Sequence, residues 1–77
     1  MTETEFVAKL GAELGIAPDR LGKPARLGSF PAWDSMGKMA VLALIDAELG
    51  QDVPPGALQK CQTVDDLLGL VRDKLTP

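Results

Sequence analysis

Residues 30–50 read FPAWDSMGKMAVLALIDAELG and commit the chain to a helical fold. Asp34 is a good N-cap, no proline follows it before Gly50, and that glycine supplies a C-terminal stop, so the spacing predicts a helix over Ser35–Leu49. Val41, Leu44, Ile45 and Leu49 recur at helical steps and are expected to face the core. Met36, Met39, Ala40 and Ala43 make a second apolar strip that starts beside Ser35, and Lys38, Asp46 and Glu48 are the charged residues of the segment. A helix apolar around most of its circumference is either wholly buried or keeps one face for a partner.

On the N-terminal side, Thr2-Glu3-Thr4-Glu5 supplies hydroxyl caps and early acids suited to a helix start, and Phe6, Val7, Leu10 and Leu14 form one stripe that Gly15 ends. From Ile16 to Trp33 the periodicity breaks at Pro18, Gly22, Pro24, Gly28 and Pro31, which marks a long loop with Ile16, Leu21, Leu27 and Phe30 as candidate anchors. On the C-terminal side, Pro54 and Pro55 open a short helical turn through Leu58 and Lys60. Thr63 and Asp66 have the spacing of a capping box, and Val64, Leu67, Leu68, Val71 and Leu75 form the stripe of a last helix. The expected fold is all-α: a small four-helix bundle of three longer helices and one short one, with a long loop between the first two, as a single domain over residues 1–77.

Composition narrows the chemistry. The net charge is -3, all of it carried by residues 34–77, and no basic stripe is present to displace counterions from a phosphate backbone, so nucleic-acid binding is not expected. Arg20, Lys23 and Arg26 form a small basic cluster whose plainest role is to solvate the loop. One cysteine, Cys61, allows neither an internal disulfide nor a thiolate metal cluster. It reads as a small buried hydrophobe between the third and fourth helices, with a reactive thiol as the alternative. No apolar run is long enough to cross a bilayer, and a cytoplasmic monomer without membrane insertion is expected.

Without histidine or tyrosine a Ser-His-acid relay is excluded, and Asp34 is better explained as a cap than as a general base, so a hydrolase built on Ser35 has no support. Zinc, calcium and phosphate-loop signatures are also missing. If Ser35 reacts, another protein must activate it. At the first turn of a helix its position favours an anion, although Asp-Ser could serve as a cap and nothing more.

The wider register resembles the acyl and peptidyl carrier protein family, in which the serine of an Asp-Ser-Leu type motif carries 4'-phosphopantetheine. Asp34-Ser35-Met36 stands for that motif and VLALIDAELG for the family's second helix. Asp52-Val53-Pro54 stands before its short third helix, and Thr63-Val64-Asp65-Asp66-Leu67 stands for the opening of its last. The resemblance implies a right-handed bundle that is not itself an enzyme. Ser35 would be the covalent attachment point, flanked by Asp34 and Met36, with Trp33, Met36, Met39, Ala40 and Ala43 as a docking strip. The implied partners are a phosphopantetheinyl transferase, an adenylating enzyme that loads an acyl or aminoacyl group, and downstream tailoring or condensing enzymes.

Ser35-Met36-Gly37 is similar to the motif of D-alanine carrier proteins. Gly37, Lys38 and Ala40 occupy positions where fatty-acid carriers usually place acids, and Trp33 stands just before Asp34, where a small residue is common. Both features resemble stand-alone carriers of specialised pathways such as polyketide or nonribosomal-peptide synthesis. A fatty-acid carrier and a helical interaction module without a covalent cofactor are the alternatives. Two local questions stay open: Met36 and Met39 could be core residues beneath the long loop, and Trp33 could pack that loop or touch a partner.

Overall fold

Each helix of this chain begins and ends on residues whose side chains or backbone freedom close its ends. The computed structural model describes residues 1–76, and these form α1 (Glu3–Leu14), α2 (Ser35–Leu49), α3 (Pro55–Gln59) and α4 (Val64–Val71), with no strand among them. Pro77, the last residue of the expected domain, lies outside the described residues. The Thr2 hydroxyl accepts from the Glu5 N–H at 3.1 Å while the Glu5 carboxylate accepts from the Thr2 N–H at 2.9 Å, so a full capping box starts α1. Asp34 caps α2, and Gly15 and Gly50 end α1 and α2 in the left-handed region with φ of 68° and 62°. The Thr63–Asp66 box starts α4, and Pro54 and Pro55 start α3.

One contiguous core joins Phe6, Leu10 and Leu14 of α1 to Val41, Leu44 and Ile45 of α2, Leu58 of α3, and Val64, Leu67, Leu68 and Val71 of α4. Ile16, Leu21, Leu27 and Phe30 of the long loop are buried in it too, so the loop is a structural layer and not a tether. Burial of a side chain of this size is worth about 1.5–3 kcal/mol, a large share of what so small a domain can have. Two expectations need correction. Leu49 and Leu75 only border the core: Leu49 sits at the last turn of α2, and Leu75 follows a 3₁₀ turn (Arg72–Lys74) that ends the regular stripe at Val71.

The loop is also stitched to the start of α4. The Val64 and Asp65 N–H groups, which have no acceptor within their own helix, donate to the carbonyls of Ala25 and Lys23 at 3.0 Å each, and the Leu27 N–H donates to the Gln62 carbonyl at 2.9 Å. Backbone that would otherwise be left unpaired at two places is thus paired in one. Charged contacts around this assembly are exposed: Arg72 bridges Glu3 and Asp65 at 3.2 and 2.8 Å, and Lys9 meets Glu48 at 3.3 Å. Pairs of this kind are worth about 0–1 kcal/mol each.

Close backbone approach fixes where α2 starts. The first turn of α2 lies against the chain that enters it, so a Cβ at Gly37 would collide with the Ala32 carbonyl oxygen and crowd Leu14. Gly11 is held the same way against the Ile16 carbonyl, where the loop leaves α1. Both collisions are with backbone, which cannot swing aside as a side-chain end can. Gly69, exposed on α4, has nothing within 4 Å of a built Cβ.

Two predictions follow from this arrangement. Gly37→Ala should lower stability by roughly 1–3 kcal/mol in urea titration despite the gain in helix propensity, because overpacking of backbone against backbone outweighs it. Gly69→Ala, by contrast, should raise stability by about 0.5–1 kcal/mol. Two equal stabilisations would mean that α2 does not rest on Ala32. The second concerns acid. The N–H groups of Gln62 and Thr63 hold the Asp66 carboxyl below the usual range, and the Thr2 N–H followed by its hydroxyl does so for Glu5. Folded-state pKa values that are depressed give stability that is complete above the unfolded value and lost as pH falls through the folded one. Unfolding midpoints should therefore drop below about pH 4, and Asp66→Asn should flatten that slope. An unchanged slope in the variant would show that Asp66 does not carry it.

Candidate functional site

Ser35 is the first residue of α2 and is exposed. Its placement follows from the two residues that bracket it. Asp34 has extended backbone, its Oδ1 accepts from the Gly37 N–H at 2.8 Å, and its carbonyl accepts from the Lys38 N–H at 2.9 Å. The first bond takes one of the four free amides of a helix start, and the second is the first bond of the helix itself. Among the described residues, the N–H groups of Ser35 and Met36 meet no protein acceptor. At α4, by comparison, loop carbonyls close the corresponding positions. The start of α2 therefore presents unpaired donors and the positive end of the helix macrodipole to solvent, beside a hydroxyl.

Neither charged neighbour is arranged to take the proton of that hydroxyl. The Asp34 carboxylate is committed to the Gly37 N–H, and the Lys38 ammonium lies 5.8 Å from the centroid of the Trp33 ring, where a cation is favoured. Among the described residues no group of three or more His, Cys, Asp or Glu side chains is gathered to hold a metal.

The second apolar strip is on the outside. Met36 is 80% exposed and Met39 69%, which overturns the reading of these two as core residues beneath the loop. Ala43 is exposed as well, Ala40 is half-buried, and Trp33 is half-buried with one side packed on the core. Trp33 therefore does pack the loop, while its remaining surface stands beside Lys38.

Two recesses flank the site. A cleft of about 200 Å³ runs between α2 and α3, with Ser35 and Lys38 at its edge, Met39, Leu42 and Leu58 as apolar wall, and Gln59 on the α3 side. Leu42 and Gln59 were not singled out by periodicity, since nothing local shows which residues of a short third helix meet the second. A larger open recess of about 360 Å³ shares Lys38 and Gln59 with it and extends to Trp33, Arg26, Gln62 and Cys61. Cys61 is 8% exposed, and its thiol donates to the Ala57 carbonyl at 3.6 Å. Burial, and secondarily the negative Asp66, push that thiol up, so it stays protonated and fits the buried-hydrophobe reading. The basic cluster of the loop divides among separate neighbours. Arg20 lies over the Phe30 ring at 5.4 Å, Lys23 pairs with Glu3 at 3.7 Å, and Arg26 borders the larger recess.

No helix of the described residues is long and apolar enough to cross a membrane. Compared with protein-family models, with curated proteins and with solved structures, the chain gives no match, so what can be said of the site rests on its own residues.

Proposed function

We propose that this chain is an acyl or aminoacyl carrier, in which 4'-phosphopantetheine joined to Ser35 holds a biosynthetic intermediate for partner enzymes of polyketide, nonribosomal-peptide or related specialised metabolism. The observation that carries this reading is an exposed serine hydroxyl at a helix start whose Ser35 and Met36 amides have no protein acceptor. A phosphodiester at such a position gains about 0.3–1 kcal/mol from the helix end, and Lys38 one turn on adds to it. The residues around the serine fit the group. Beyond the anionic end, the cleft combines Met39, Leu42 and Leu58 with Gln59 and Lys38, a lining suited to a chain of methylenes and amides.

When bound, the group supplies a terminal thiol on which an acyl chain is held as a thioester. The protein's own residues have other tasks. Ser35 offers the hydroxyl to be esterified by a phosphopantetheinyl transferase, and Asp34 and Gly37 fix the angle at which it projects. Met36, Met39 and Ala43, with Ala40 and Trp33 at the margin, present an adaptable apolar face to a loading enzyme and to the enzymes that follow, because methionine conforms to several surfaces. No bond-making is assigned to the carrier, whose contribution is to raise the effective concentration of its cargo at each partner.

Incubation with coenzyme A, magnesium and a broad-specificity phosphopantetheinyl transferase should add one phosphopantetheinyl group by intact-mass measurement, and Ser35→Ala should add none. No gain on the parent chain, or an equal gain on the variant, would leave the exposed methionines to a non-covalent interaction module instead. Met36→Ala combined with Met39→Ala should change stability by less than about 1 kcal/mol, since both side chains are largely solvated. The same double variant should slow modification in that assay. Loss of stability with normal modification would place these side chains in packing and not in docking.

A further inference from the structure

The larger recess beside Ser35 has a chemical character of its own. Arg26 and Lys38 border it from opposite elements, the long loop and α2, and Gln59 and Gln62 add amide donors from the α3–α4 side. Neither cation has an ion-pair partner among the described residues, a state they share with Arg20, Lys60 and Lys74. Two carboxylates are near, and both are spent on backbone amides: Asp66 on the Gln62 and Thr63 N–H groups at 3.0 and 3.2 Å, and Asp34 on the Gly37 N–H at 2.8 Å. The Trp33 ring forms an aromatic wall, and Cys61 contributes a protonated thiol and no charge. At about 360 Å³ the recess has the size of a small-ligand site and not of a protein interface. Lys38 and Gln59 also line the cleft that reaches Ser35, so the two recesses are neighbours.

From this we infer that the recess between the long loop and α3 receives the carboxylate of an acidic acyl group, with Arg26 and Lys38 pairing the acid and Trp33 and Gln59 lining its short chain. The inference rests on the carrier reading and names its cargo class: a dicarboxylic acid held as a mono-thioester. The same two cations repel an aminoacyl group with a free ammonium, and a neutral acyl chain leaves both unpaired. Tethering makes a weak site sufficient, because an arm fixed at Ser35 keeps its end at high local concentration.

Trp33 is the single tryptophan, so its fluorescence reports on the recess directly. The transferase accepts acyl-coenzyme A, joining its phosphoryl end to the serine oxygen and releasing adenosine 3',5'-bisphosphate. The chain is loaded in this way from glutaryl-, pentanoyl- and β-alanyl-coenzyme A and from coenzyme A itself. In parallel, S-glutaryl- and S-pentanoyl-N-acetylcysteamine are titrated into the unmodified chain. Glutaryl forms should shift Trp33 emission and the amide resonances of Arg26, Lys38 and Gln62, with pentanoyl, β-alanyl and thiol forms silent. Arg26→Gln and Lys38→Gln should each weaken the free glutaryl thioester by about two- to fivefold, and Lys74→Gln, away from the recess, should not.

Equal responses to glutaryl and pentanoyl would overturn the inference. So would shifts already complete with coenzyme A alone, which would assign the cations to the phosphate of the arm. If no form loads, the carrier reading falls while the free thioesters still decide the recess, glutaryl-selective binding upholding it and its absence refuting it.

Discussion

Helix α2 can start where it does because Gly37 has no side chain. Its Cα lies against the Ala32 carbonyl and close to Leu14, and its N–H is held by the Asp34 carboxylate at 2.8 Å, so the incoming loop and the outgoing helix are pressed together at one turn. With that corner fixed, Ser35 points away from the core, Trp33 is caught half-buried beneath it, and Met36 and Met39 fall on the solvent side. The loop can hold its end of the contact because Leu27 and Phe30 are buried just upstream and Lys23 and Ala25 are bonded to the amides of α4. A disturbance at Gly37 would therefore reach both the serine and the far helix.

The electrostatics of the molecule are divided in a way that net charge conceals. Although the chain carries -3 overall, the acids of α2, Asp46 and Glu48, stand at its C-terminal end, where Glu48 is matched by Lys9. Lys38 shares a cleft with Ser35 near the N-terminal end, and Arg26 borders the neighbouring recess. An anion approaching Ser35 thus meets the helix dipole and Lys38, with Arg26 in the recess beyond. Between the capping Asp34 and Asp46 the helix carries no acid, which supports the dedicated partner set proposed above.

What could be read in the sequence was what is local. Asp34 with Gly37, Thr63 with Asp66, and the terminal Gly15 and Gly50 act over three or four residues, so the helix starts and stops were visible in the order of residues alone. The four loop anchors were visible too, as apolar residues among Gly and Pro with nowhere else to go. Helical spacing put Met36 and Met39 on one face but could not say whether the loop covered it. The loop passes instead toward α4, by hydrogen bonds between residues some forty positions apart. Gly11 and Gly37 gave no local sign of their close approaches, which depend on where a distant carbonyl lies. Arg26 looked like one member of a loop cluster, and only its antiparallel bridge to Thr63 carries it to the recess it shares with Lys38.

If Ser35 is presented as the substrate of another enzyme, the chain isolated from the cells that make it carries the mark of that enzyme. Trypsin cleaves after Arg26 and Lys38, releasing Leu27–Lys38, a peptide that contains both Ser29 and Ser35. Tandem mass spectrometry should find this peptide bearing phosphopantetheine, with fragment ions assigning it to Ser35 and leaving Ser29 bare. A peptide recovered only unmodified, or modified on Ser29, would contradict it.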